Sequence, residues 1–263
     1  MLILLIAACS TPERRTPKKE STPNIVLIVA DDLGYPYAGF MGDTLVQTPH
    51  LDRLTSMGTV FTSGMVTESH CAPSLRTIIT GLHCETFDLK QEQLRELYRD
   101  SLTASLSSED SMIWEREFQW KSMSFFKTLP HYLSDKGYKS FQGGKWWEFN
   151  YQNGGFTHGM STVWTKEDRK QPNFFYKLMG NDGLKLGRVT DQPVYDFLEE
   201  AGTDPFFIWY APDLPHYPLN APTTTISFTP MKTSPNQPSD TMPMLPGSMK
   251  KWVKLWIILN RKD

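Results

Sequence analysis

The chain has 263 residues and a formal net charge of −2, so it carries no global basic field of the kind that draws a protein to nucleic acid. Apolar residues make up 39% and aromatic residues 13%, enough for one large α/β domain or two small ones. Three cysteines are too few for a disulfide framework, although Cys71 and Cys84 could form one pair.

The first residues read MLILLIAACSTPERRTPKKE. The apolar run is too short to span a bilayer and has no basic start. Ile6-Ala7-Ala8-Cys9 resembles a bacterial lipobox, with Cys9 as the lipidated residue and a polar tether after it; a plain apolar terminus is the alternative. A lipid anchor at Cys9 places the domain in the bacterial cell envelope, as a periplasmic or outer-membrane lipoprotein. Residues 1–22 therefore divide from a domain expected over 23–221.

Ile25 to Ala30 are six consecutive apolar residues, the pattern of a strand buried on both faces in a parallel sheet. Asp31 and Asp32 follow at its carboxyl end, where open α/β sheets bind ligands. Thr48-Pro49 opens a helix with Leu51, Leu54 and Met57 on one face and Gly58 as its stop. Val60 and Phe61 suggest a short strand. A helix over 74–80 begins near Cys71 and stops at Gly81. Residues 88–118 are charged, helical and without a strong core face, as in a surface insertion. Phe126 to Lys136 reads as an amphipathic helix with Leu129, Tyr132 and Leu133 inward. A turn and strand run from Gly137 to Lys145, a helix covers 191–201, and Pro205 to Pro212 form another buried strand. The alternation predicts an α/β fold, with a mostly parallel central sheet flanked by helices.

Four candidate site features, five residues in all, fall just past predicted strand ends or at a helix start. Asp31-Asp32 offers oxygen ligands for a hard divalent cation, or is a solvated pair capping a turn. Cys71, at a helix N-terminus, stands where free N–H groups stabilise an anion, or is a structural thiol. Lys145 ends a strand after two glycines and could reach a pocket at that sheet edge, or lies at the surface. His216, in Leu214-Pro215-His216-Tyr217-Pro218, follows the last strand and is a site residue or a packed loop histidine.

Together PNIVLIVADDLGY, TPHLDRL, CAPSLRTIITG, GGKWW and PFFIWYAPDLPHYP resemble the sulfatase family of the alkaline phosphatase superfamily, in order and approximate spacing, over residues 23 to about 220. The resemblance implies that Cys71 is oxidised to formylglycine by a formylglycine-generating enzyme. Its hydrate would then attack the sulfur of a small-molecule or glycan sulfate ester. It also implies that Asp31, Asp32 and the modified Cys71 hold a divalent cation, usually Ca²⁺. Lys145 would bind sulfate, His216 would stand at the leaving-group oxygen, and the motif arginine would stabilise the modified residue. Phosphodiester or phosphonate hydrolysis, and non-catalytic binding of a sulfated glycan, are the competing readings.

The sequence departs from the family pattern in three places. Leu75 occupies the motif's arginine slot and Arg76 lies one residue later, a rotation of about 100° on a helix. Trp147 replaces the histidine that often follows the lysine; His70 and His83 are nearby. The family's later Asp-Asn pair and second lysine are not found, and Asn236 and Asp240 lie in no matching context. Residues 222–263 are rich in Pro, Ser and Thr and read as a disordered, aberrant tail. Read from the third base of each codon, with suitable synonymous choices, this tail yields an amphipathic helix of the family's kind, so a reading frame lost soon after Asn220 is expected. Weak or absent aryl sulfate turnover is expected of the chain as written.

Overall fold

The computed structural model describes residues 22–103, 115, 117–165 and 167–216. The expectations for Cys9, the N-terminal tether and the tail lie outside those residues. At the centre is a four-stranded, wholly parallel sheet, formed by β1 (Ile25–Ile28), β2 (Lys139–Gly144), β3 (His158–Gly159) and β4 (Phe206–Ala211) in the order β1-β4-β2-β3. The α/β class with a parallel central sheet is thus observed. The two-residue β3 carries no sequence signal of its own.

Among the described residues, the helices that flank the sheet include α1 (Pro49–Ser56), α2 (Cys71–Thr80), α3 (Cys84–Thr103), α4 (Leu129–Ser134), α5 (Phe174–Met179) and α6 (Gln192–Ala201), with short 3-10 turns between them. All six residues of β4 are buried because β1 and β2 cover its edges and helices cover both faces. Alternation along the strand then builds two cores. Phe206, Ile208 and Tyr210 pack with Val194, Phe197 and Leu198 of α6. Phe207, Trp209 and Ala211 pack on the opposite side with Leu75, Ile79, Phe87, Phe126 and Trp146. The second core fastens α2, the helix that starts at Cys71, to the sheet.

α2 ends at Gly81, whose φ of 71° is the left-handed stop expected of glycine; its N–H donates to Thr77 O at 2.8 Å. Three expectations are corrected. Val60 and Phe61 are exposed loop residues and form no strand, because no strand edge faces them among the described residues. The helix read from Phe126 begins at Leu129, where a capping box between Thr128 and His131 sets its first turn. Tyr132 points outward rather than inward, 54% exposed beneath the ammonium of Lys127, while Leu129 and Leu133 pack on the core. Among the described residues of the 88–118 stretch, Leu94 packs on the second core and Phe118 is buried, whereas Leu89 and Leu97 are exposed.

Candidate active site

The carboxyl ends of β1, β2 and β4 and the first turn of α2 enclose a cleft of about 390 Å³. Asp31, Asp32, Cys71 and Lys145 all line it, with Ser69, Ser74, Leu75 and Ile78 on the α2 side. The strands deliver these side chains directly. Asp31 and Asp32 follow β1, and the Asp31 N–H donates to Leu214 O at 2.9 Å, tying that loop to the one after β4. Asp32 is held at φ 60°, a left-handed conformation that aspartate tolerates better than most residues. Such conformations gather at functional sites.

Lys145 enters through a tight backbone approach. Gly144 has φ 95°, and the Lys145 N–H donates to Ala211 O at 2.6 Å. This turns the lysine side chain inward, where it is 2% exposed. Its ammonium donates to Asp31 Oδ2 and lies 3.8 Å from Asp213 Oδ1.

Asp213, two residues past β4, is the member of this group that sequence reasoning missed. It is buried, and its Oδ1 has no hydrogen-bond partner among the described residues. Burial pushes its carboxyl pKa up, and the Asp31 carboxylate adds to this, against the pull of Lys145 and Arg188. Arg188 anchors the loop by donating to the carbonyls of Asp213 and His216. His216 Nδ1 lies 3.5 Å from Asp213 Oδ1 and its Nε2 lies 3.8 Å from Asp32 Oδ2. Ligand atoms of Asp31, Asp213 and His216 all fall within 4.8 Å of one another. Asp32 and Cys71 border the cleft but stand outside that cluster.

Cys71 is half-buried at the first position of α2. Leu75, one turn on, lines the cleft, whereas Arg76 does not. The one-residue slip sends Arg76 under the helix, where its Nε donates to Glu148 Oε1 at 2.7 Å and its guanidinium lies over the Phe87 ring. Both partners are buried. Burial raises the Glu148 pKa, with Arg76 opposing. Trp147 packs in the neighbouring core and among the aromatic rings, with Phe175 at 5.7 Å. His70 is mostly exposed beside Glu68, and His83 contacts Cys84.

The sulfatase family model matches residues 23–239. A sulfatase of Formosa agariphila is 26% identical over 276 aligned residues, covering 95% of this chain and 51% of the relative. The N-acetylgalactosamine-6-sulfatase of Canis lupus familiaris is 25% identical over 246 residues, covering 84% of this chain and 44% of the relative. The crystal structure of Ps i-CgsB shares the fold, with a TM-score of 0.60 at 20% identity over 91% of this chain and 55% of that one. The chain spans about half the length of these relatives. With most of its length matched, the chain belongs to the sulfatase family.

Proposed function

We propose that this cleft hydrolyses sulfate esters. The observation that supports this reading most strongly is the meeting of Cys71, Asp31, Asp32 and Lys145 in one cleft, with His216 beside it on Asp213.

The residues fit a hard divalent cation such as Ca²⁺. Asp31 and Asp213 converge, and one buried Asp213 oxygen has no hydrogen bond to satisfy it. Asp31 and Asp213 would hold the ion, with Asp32 bordering the same cleft, and the ion would supply positive charge against the sulfate oxygens. They also fit a modified residue 71, because the Cys71 side chain opens onto the cleft at a helix start. As formylglycine, residue 71 supplies a hydrated aldehyde oxygen as nucleophile toward sulfur. The remaining work falls to the protein's own groups. The Lys145 ammonium, fixed by Asp31, binds and orients a sulfate oxygen. His216, positioned by Asp213, donates a proton to the departing alcohol oxygen. Arg76 and Glu148 act through α2, bracing the helix that presents residue 71. Cys9 as a lipid anchor would bring this site to sulfated material in a bacterial envelope.

Binding of 4-nitrophenyl sulfate and 4-nitrophenyl phosphate, measured calorimetrically with Ca²⁺ and with chelator, tests the reading. The sulfate ester is expected to bind more tightly, to need Ca²⁺, and to lose at least about tenfold in affinity in Lys145→Met, the scale of one charge-assisted contact. Any turnover must vanish in Cys71→Ala. Tighter phosphate binding, or sulfate binding indifferent to both Ca²⁺ and Lys145, would overturn it.

A further inference from the structure

Beside Cys71 the cleft has a carboxylate that the proposed chemistry does not use. Glu68 and Ser69 line the rim together with Val66, facing Leu75 and Ile78. Glu68 is held firmly for a surface residue. Its Oε1 accepts from the Ser69 N–H at 2.8 Å, from Ser69 Oγ at 3.2 Å and from the His70 N–H at 3.4 Å, and it lies 3.2 Å from His70 Nδ1. All of these hydrogen bonds end on Oε1, which leaves Oε2 able to accept another donor at the cleft lining. The same contacts, led by His70, hold the carboxyl at a pKa of about 2, so it is anionic at any working pH.

A sulfate group is placed deep, at Lys145, because among the described residues Lys145 is the cation that lines the cleft. The alcohol part of the ester then projects past Cys71 toward the rim. There it meets an apolar wall of Val66, Leu75 and Ile78 and one fixed carboxylate. An apolar wall with a single acceptor suits a ring carrying hydroxyl donors. A second anion on that ring would face Glu68, and among the described residues no lysine or arginine of the cleft lining stands beside Glu68 to offset it, His70 being outside that lining.

Resting on the sulfate-ester reading of the cleft, we propose that Glu68 is a specificity-determining residue that selects singly sulfated, hydroxyl-bearing rings and rejects polyanionic ones. Its Oε2 accepts a hydrogen bond from a ring hydroxyl, and its charge repels a neighbouring sulfate or carboxylate.

The test compares galactose 6-sulfate with galactose 4,6-disulfate on the full chain with Ca²⁺, by calorimetry, in wild type, Glu68→Gln and Glu68→Asp. Glutamine keeps an acceptor for Ser69 and His70, so the loop stays in place. Wild type is expected to prefer the monosulfate. Glu68→Gln should reduce that preference about fivefold, the size of one exposed charge–charge contact. Glu68→Asp should retain most of it. The wild-type preference should also shrink with added salt, which a purely structural role would not produce. An unchanged ratio in Glu68→Gln, with the monosulfate still bound, overturns this proposal and leaves the sulfate-ester reading intact. Failure of both sugars to bind overturns the two together.

Discussion

Replacing Gly144 by alanine is expected to unfold the protein. A Cβ at this position would lie 1.9 Å from Ala211 O and 2.2 Å from Ala211 C. Those are backbone atoms of β4, which is buried along its whole length and cannot step aside. The φ of 95° adds strain for any residue with a side chain. Relief requires β2 to part from β4, which breaks the Lys145 N–H bond to Ala211 O and opens both cores. The cost should exceed about 4 kcal/mol, in the extreme tail of single substitutions. Soluble yield and urea unfolding followed by tryptophan fluorescence check this; a midpoint close to wild type would show that the strands separate more easily than their packing indicates. The same glycine aims Lys145 into the cleft, so the tightest point of the fold is also what places a candidate sulfate-binding group.

Arg76→Ala is expected to cost about 3–5 kcal/mol, the range for removing one partner of a buried ion pair. Glu148 would keep its buried carboxylate but lose the guanidinium that compensates it. The double replacement Arg76→Met with Glu148→Leu should recover much of that loss, because neither charge then remains buried. The pH dependence has a definite sign. The Glu148 pKa is already raised above 4.5 by burial, with Arg76 pulling it down. The folded state therefore holds this proton more tightly than the unfolded chain, and stability falls as pH rises from the unfolded carboxylate value through the folded one. Without Arg76 the folded value climbs further and the window widens upward. The deficit of Arg76→Ala should be largest near pH 8 and smaller near pH 5. Urea midpoints at the two values measure it, and a deficit that grows toward acid would contradict the account.

Much of this was legible in the sequence. β1 and β4 announce themselves as uninterrupted apolar runs, and Gly81 marks the end of α2. Asp31, Asp32 and Lys145 could be placed on one face because strand ends in a parallel sheet converge there. Cys71 stood out as a thiol at a helix start, but its role as a nucleophile came only from the resemblance.

What stayed hidden depends on contacts between distant residues. Arg76 and Glu148 are 72 residues apart, and no local pattern tells a helix arginine aimed under its own helix from one aimed at a site. Asp213 stands two residues beyond a buried strand and three before His216, a spacing that could have drawn notice. Its burial, which makes it a site residue rather than a solvated loop acid, appears only when Arg188 and Lys145 close over it. Val60 and Phe61 have β-forming side chains but, among the described residues, no edge to pair with, so tertiary context overrode propensity.

The central claim is that residue 71 becomes the nucleophile of a sulfate-ester site. The most direct measurement is the mass of the peptide containing residue 71, after the chain is produced together with a formylglycine-generating enzyme. The account predicts the mass loss of a CH₂–SH group converted to an aldehyde, with that peptide trapped by a hydrazide probe and Cys84 unchanged. An intact thiol at residue 71 under those conditions would contradict it, and would leave the cleft as a place that binds sulfated rings without cutting them.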